Sequence, residues 1–326
     1  MEHWSAYWQT SGVLNSFAEG NVKDGYSGEL KSFWEQQFAA APSSAKIVDI
    51  GTGNGALAIL AYDYGRANQG HFSIDGIDAA VINPVKQFEQ HPAVAKKLKA
   101  ISFHGATPAE KLPYADDSID LAVSQFGFEY SDRKHSLKAL AAALKPAGKA
   151  VFVSHHSGSN LTQHSQQAVT VLEYCLAQSP LFQQADLYLA LARQAIPQLG
   201  LEGWLDYSHQ KVLKRSLQWT MDILQQRFSA PDQQAYVNDV IARVARLLQA
   251  QTADNIDQLI NALGLEYQLL NDHQLRVTDQ LNASLAKKDI TAMKKQAEQL
   301  GLSFSADELN IEGKLFGWAI QLSKAG

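Results

Sequence analysis

Three groups of residues in this 326-residue chain could do chemistry. The first is Val48-Asp49-Ile50-Gly51-Thr52-Gly53-Asn54-Gly55, an acid followed by three glycines at alternate positions. Glycines so spaced let a backbone come close to a ligand, and a helix opening behind them adds unpaired N–H groups. The second is Asp78-Ala79, an acid about 20 residues past the glycine loop, placed to accept hydrogen bonds from ribose hydroxyls. The third is His155-His156, whose imidazoles titrate near neutrality and suit proton transfer. Pro108, Ala109 and Glu110 stand in a long loop, and Gln125 closes an apolar run. His104 and Glu129-Tyr130 are weaker candidates of the same kind.

These residues can meet only if particular elements carry them. The β-branched run ending at Ile50 predicts a buried strand, and the Ala/Leu run from Ala56 predicts a helix. Further strands are expected over 72–77, 100–104, 119–125 and 149–154. A helix, or a loop and a helix, fills 84–98. Another covers 135–144 and stops at Lys145-Pro146-Ala147-Gly148. Alternating strands and helices imply a doubly wound, mostly parallel sheet, in which ligands bind beyond the carboxyl ends of the strands. Gly51–Gly55, Asp78, the loop 107–110, Gln125 and His155-His156 all map to that edge. Asp75, inside the second strand, is expected to face outward.

From Leu161 the pattern becomes helical and Gln-rich, with apolar periodicity over 163–179, 182–199, 217–228, 231–250 and 255–285. A last helix over 289–300, capped by Asp289, precedes strands at 302–305 and 314–322. These would return to the sheet as its antiparallel pair and bring it to seven strands. The expected organisation is an N-terminal helical flap over 1–42, an α/β core over 43–158, a helical lid over 159–286 and a completing segment over 287–326. Trp4, Tyr7, Trp8, Phe17, Tyr26, Phe33, Trp34 and Phe38 crowd the flap; they either pack it down or close over a ligand at the glycine loop.

Composition narrows the partners. Hydrophobic residues make up 46%, charged residues 19%, and the net charge is −5, which disfavours a nucleic-acid phosphate backbone. Lys96-Lys97-Lys99 reads as a solvated helix face. No apolar run approaches the ~20 residues a membrane span needs, and the N-terminus lacks a secretory pattern. The one cysteine, Cys175, falls in an apolar helical pattern and reads as a small core residue. A cytoplasmic protein without metal is expected.

The chain resembles the class I S-adenosylmethionine-dependent methyltransferases, a Rossmann-like family. The likeness rests on Val48-Asp49-Ile50-Gly51-Thr52-Gly53-Asn54-Gly55, on Asp78, on the block Glu110-Lys111-Leu112-Pro113-Tyr114-Ala115-Asp116-Asp117-Ser118-Ile119-Asp120-Leu121-Ala122-Val123-Ser124-Gln125-Phe126, and on Leu144-Lys145-Pro146-Ala147-Gly148-Lys149. The resemblance implies S-adenosylmethionine (SAM) as cofactor and S-adenosylhomocysteine as product. Asp49, Gly51, Thr52, Gly53 and Gly55 would face its methionine part, and Asp78 with Ala79 the ribose. Pro108, Ala109 and Glu110 would flank the adenine, and Gln125 would border the methyl group. Where many members have Gly-Asp-Ala, this chain has Gly105-Ala106-Thr107-Pro108-Ala109, so the usual acidic adenine contact is missing or replaced.

Methyl transfer from a sulfonium needs alignment and exclusion of water, which a lid would provide. His155 or His156 would serve as general base for a hydroxyl or amine acceptor. The expected function is methylation of O, N or C on a small molecule. The Gln-rich helices could also form a homodimer surface. Two alternatives stand beside it: a non-catalytic SAM-binding protein, and a nicotinamide-dependent oxidoreductase, since Gly51-x-Gly53-x-x-Ala56 fits the loose dinucleotide fingerprint.

Overall fold

Ile47 and Val48 point to opposite faces of the first strand and both are fully buried, so a layer must cover each face. In the computed structural model, which describes residues 1–15 and 25–326, helices supply both layers. Phe17 lies outside the described residues. The strands are β1 (Lys46–Ile50), β2 (Ser73–Ile77), β3 (Ser102–His104), β4 (Ile119–Gln125), β5 (Leu144–His155), β6 (Leu302–Ile311) and β7 (Lys314–Lys324). They form one seven-stranded sheet in the order β3-β2-β1-β4-β5-β7-β6. β1 to β5 run parallel, and β7 joins β5 antiparallel with β6 outside it. The expected Rossmann-like α/β sheet is the observed one.

The helices of this part are α1 (Glu2–Thr10), α2 (Gly28–Ala39), α3 (Ala56–Ala67), the short α4 (Pro84–Gln87), α5 (Pro92–Leu98) and α6 (Arg133–Ala143). Trp34, Phe38, Leu57, Ala61 and Leu98 fill one face of the sheet with Ile47, Leu121 and Val153. Leu137 and Leu140 fill the other, together with Val48, Phe152, Ile320, Met293 and Ala297.

The chain divides into two compact units, Met1–Thr162 with Asp279–Gly326, and Gln163–Thr278. The second consists of helices: most of α7 (Asn160–Glu173), a π turn (Tyr174–Gln178), α8 (Leu181–Asp206), α9 (Ser208–Arg227), α10 (Pro231–Gln249) and most of α11 (Ile256–Ala283). Its own core includes Val171, Leu189, Trp204, Leu217, Val237 and Leu263. Cys175 belongs to that core, and burial pushes its thiol up to about 12, far from a reactive thiolate.

Several boundaries differ from expectation. α9 begins at Ser208, well before 217. The break expected after 199 is real, because Gly200 takes φ +69 with ψ 174, but helix resumes beyond it to Asp206. The last helix, α12 (Lys287–Gln299), starts before Asp289. Asp289 does not stand at the cap; it reaches back from the first turn to accept the Ala286 N–H at 3.0 Å. β6 and β7 are longer than expected because each residue added continues their antiparallel ladder. Asp75 does not face solvent. It is buried, accepts the Tyr114 hydroxyl at 3.0 Å and pairs with Lys46, because helices and loops cover both faces of the sheet.

Candidate active site

The glycine loop is built around a single carbonyl. The Ile77 oxygen at the end of β2 accepts the N–H of Gly51 at 2.9 Å and of Thr52 at 3.0 Å. The next amide, Gly53 N–H, donates to Asp78 Oδ2 at 2.8 Å, and the other oxygen of Asp78 accepts Ala80 N–H at 2.8 Å. The Thr52 hydroxyl donates to Asp49 Oδ2 at 2.6 Å. Three successive loop amides are thus satisfied within the protein. A dinucleotide site keeps such amides for pyrophosphate; here two of them close on the Ile77 carbonyl and the third holds Asp78.

Gly51 is required twice over. Its φ is +72, and a Cβ there would lie 2.7 Å from Gly127 Cα. Gly127 is equally constrained, since its Cβ would meet the Ile50 carbonyl oxygen at 2.7 Å. The ends of β1 and β4 therefore cross backbone to backbone. Ser124 locks that crossing, donating to Ile50 O at 2.6 Å and accepting Phe128 N–H at 2.9 Å.

A cavity of about 340 Å³ opens beside this crossing, lined among the described residues by the sheet-bearing unit. Asp49, Gly51, Thr52, Asp78, Ala79, Pro108, Ala109, Glu110 and Gln125 all line it, as does Phe126. Gly53 and Gly55 do not line it. Trp8 packs on Gly53, where a Cβ would sit 2.5 Å from the indole, and Phe103 packs on Gly55. These two glycines shape the loop and do not form the cavity wall. Glu110 also accepts the Asp132 N–H at 2.5 Å and so ties its loop to the entry of α6.

Burial sets the charge state of the acids. Burial pushes Asp49 up to about 7, with Asp78 adding to the rise and the Thr52 hydroxyl opposing it. Burial likewise raises Asp78 to about 6, against the Ala80 and Gly53 amides. A cationic or hydroxyl-bearing ligand would offset that desolvation.

The N-terminal aromatics divide between two tasks. Trp34 and Phe38 are core. Trp34 also donates from Nε1 to Gln125 Oε1 at 2.6 Å, fixing which face of the amide meets the cavity. Trp4, Trp8 and Tyr26 line the cavity. Trp4 stacks on Trp8 and meets Tyr130 edge-on, with centroids 6.3 and 5.7 Å apart. Buried Asn54 anchors this segment by donating to Trp8 O at 3.1 Å and Val13 O at 2.8 Å. The Asp279 carboxylate accepts Trp4 Nε1 at 3.0 Å and holds His3 at 2.7 Å. Sequence reasoning missed Gly127, Asn15 and Leu14 as parts of the site. For Gly127 the available signal was its place just past β4; for Leu14 and Asn15, far from both the glycine loop and β4 in the chain, there was none.

The two histidines do not reach this cavity. The His155 ring lies flat on Phe126 at 4.1 Å, its Nε2 is 3.2 Å from the Tyr130 hydroxyl, and burial drives its pKa down to about 3. His156 accepts Gly158 N–H at Nδ1 and stacks on Trp318 at 4.5 Å. The expected general-base role therefore does not match their positions. His155 is a neutral ring that backs Phe126 and Tyr130, and His156 closes a turn. Beside them Glu129 is buried and raised to about 7 by burial, with one oxygen accepting His155 N–H at 2.8 Å.

The residues present fit SAM. Gln125 Nε2 and Asn15 Oδ1 are buried atoms of cavity residues without a hydrogen-bond partner among the described residues. Asp49 and Asp78 add acceptors suited to an ammonium and to ribose hydroxyls. A mostly parallel sheet with buried acids at its carboxyl edge, and with the Gly51, Thr52 and Gly53 amides bonded within the protein, fits a SAM-binding Rossmann-like protein. Residues 24–270 match the family described as a methyltransferase domain. The chain belongs to that family, the SAM-dependent methyltransferases of class I.

Among its relatives is the ubiquinone/menaquinone biosynthesis C-methyltransferase of Geotalea daltonii, 30% identical over 130 residues, or 40% of this chain and 53% of that protein. The chain thus spans about half the length of that curated relative. A putative SAM-dependent methyltransferase of Methanococcus maripaludis is 15% identical, with 91% of this chain and 84% of that one covered at a TM-score of 0.40. A SAM-dependent methyltransferase of Mesorhizobium loti is 25% identical over 40% of this chain and 56% of its own, at a TM-score of 0.30. Structural overlaps that loose add nothing to the site. No helix among the described residues is long and apolar enough to cross a membrane.

Proposed function

We propose that the chain methylates a small molecule with an apolar or aromatic body, at a ring carbon or at an atom that needs no histidine base. The observation that carries this is the make-up of the cavity. Asp49 and Asp78 are tied into the glycine loop, Trp4, Trp8, Tyr26, Phe126 and Tyr130 place five aromatic side chains in its wall, and both nearby histidines are engaged elsewhere. SAM supplies an electrophilic methyl group on a sulfonium when bound. Asp49 and Asp78 hold its polar ends, Gln125 fixes its position against β4, and Phe126 and Tyr130 present aromatic faces to cationic or flat groups.

His155 acts as a positioning residue through Tyr130 and Phe126. A carbon nucleophile in an electron-rich ring loses its proton after attack, so no strong base need be ready beforehand. The Geotalea daltonii relative, a C-methyltransferase by name, supports carbon among the three acceptor atoms. Methyl-labelled SAM with a panel of phenols, quinols, amines and polar alcohols tests this. Label is expected in the ring-bearing acceptors, on carbon. Turnover confined to polar amines, or cofactor binding with no turnover on any acceptor, would contradict it.

A further inference from the structure

Large apolar side chains that stand exposed are unevenly placed. Of the thirteen among the described residues, eleven lie within 163–278. Scattered singly they would mean little, but three of them align on α9. Val212 and Trp219 are each 67% exposed and Ile223 is 40% exposed. Their spacing of seven and then four residues keeps them on one stripe of the helix. Leu217, Thr220 and Leu224, which α9 buries in its own unit, lie on a different stripe. α9 therefore carries a second apolar stripe that nothing in its unit covers.

The charges beside that stripe indicate the occupant. Arg215 and Asp222 are exposed, seven residues apart, and both fall on the same flank of the stripe. Seven residues separate them by roughly 10 Å along the helix, too far for a pair within one chain. Arg215 has no ion pair among the described residues, while Asp222 only accepts from Gln218 Nε2 at 2.9 Å. When two copies of a helix pack antiparallel about a two-fold axis, each flank meets the same flank of its copy. Residue i then faces j, and j faces i. An axis passing between Gln218 and Trp219 sets Arg215 against Asp222 twice, brings the two Trp219 rings beside the axis, and leaves no like charges opposed.

We propose that α9 is a homodimer interface, paired antiparallel with its own copy through Val212, Trp219 and Ile223 and held in register by reciprocal Arg215–Asp222 ion pairs. One helix from each partner makes a small interface, so the dimer forms with rising concentration.

Sedimentation velocity of the 326-residue chain over a wide concentration range tests the pairing. The wild type is expected to move from 35.8 kDa towards twice that mass. Trp219→Lys is expected to stay monomeric, Arg215→Asp to weaken association at least tenfold, and Arg215→Asp combined with Asp222→Arg to restore it. These sites are exposed, so folding of each variant is verified by an unchanged circular dichroism spectrum. A wild type that is monomeric throughout overturns the proposal, as does a dimer indifferent to Trp219→Lys. A double variant that fails to regain association overturns it too. Co-sedimentation of the monomer with anionic vesicles, abolished by Trp219→Lys, would overturn it by showing lipid to be the occupant.

Discussion

The ends of β1 and β5 lie on the same edge of the same sheet, and each carries residues with the right chemistry. Only the first is open to a ligand. β1 ends in a glycine crossing with β4, where the absence of side chains leaves the cavity free. β5 ends beneath chain that returns from the helical insertion. His155 O accepts Leu285 N–H at 2.8 Å, Ser157 N–H donates to Leu285 O at 3.0 Å, and β7 pairs along the strand as far as Gly317. Position at a sheet edge is therefore not enough; what the later chain lays across that edge decides whether a residue meets the ligand.

Substitutions should separate the two strand ends sharply. The largest effect is expected at the crossing. Gly127→Ala drives a Cβ into the Ile50 carbonyl and Gly51. It should cost about 1–3 kcal/mol of stability by the scale for overpacked sites, read as a lower melting temperature, and binding of S-adenosylhomocysteine should be lost with it. Next comes Asp78→Asn, which replaces a charge-assisted acceptor. Loss of such bonds is worth about 1.5–3 kcal/mol, so calorimetry should find S-adenosylhomocysteine bound roughly 10- to 100-fold more weakly.

The pH response gives a third contrast, because the two ends have opposite signs. Asp49, raised from 3.8 to about 7, binds a proton more tightly folded than unfolded. Its ionisation therefore costs stability; the cost is absent below pH 3.8 and complete above about 7. His155, lowered from 6.5 to about 3, binds its proton less tightly folded, so its contribution is complete above pH 6.5 and lost as pH falls towards 3. Melting curves should show Asp49→Asn stabilising the ligand-free protein at pH 8 while weakening cofactor binding. His155→Phe should flatten the acid side alone. Wild-type affinity for S-adenosylhomocysteine should rise between pH 6 and 7 as Asp78 and Asp49 ionise.

The smallest effects belong to the histidines. His156→Phe keeps the Trp318 stack and should change kcat less than about threefold, within the range of a packing change. His155→Gln should lower kcat by less than about tenfold, without the pH dependence a general base imposes. A loss of 10³-fold or more in folded protein, on the scale of a removed acid–base group, would restore a catalytic role at that end.

This contrast also marks what sequence could reveal. Val48 to Gly55, Asp78 and Gln125 were legible because glycine spacing and strand ends are local properties, and six of these residues line the cavity. Trp34 on Gln125, Gly127 against Gly51, and Leu285 across His155 were not legible, because each joins segments far apart in the chain. The same holds for Asp75, whose burial depends on Tyr114. Helix periodicity in 163–278 located the elements, but propensity alone could not give the true start of α9 at Ser208.

The most direct test of the central claim is calorimetric titration of the purified protein at pH 8 with S-adenosylhomocysteine and, separately, with NAD. The account predicts one-to-one binding of S-adenosylhomocysteine, weakened at least tenfold in Asp78→Asn, and no measurable binding of NAD. Tight NAD binding with none of S-adenosylhomocysteine, or S-adenosylhomocysteine binding indifferent to Asp78→Asn, would contradict it.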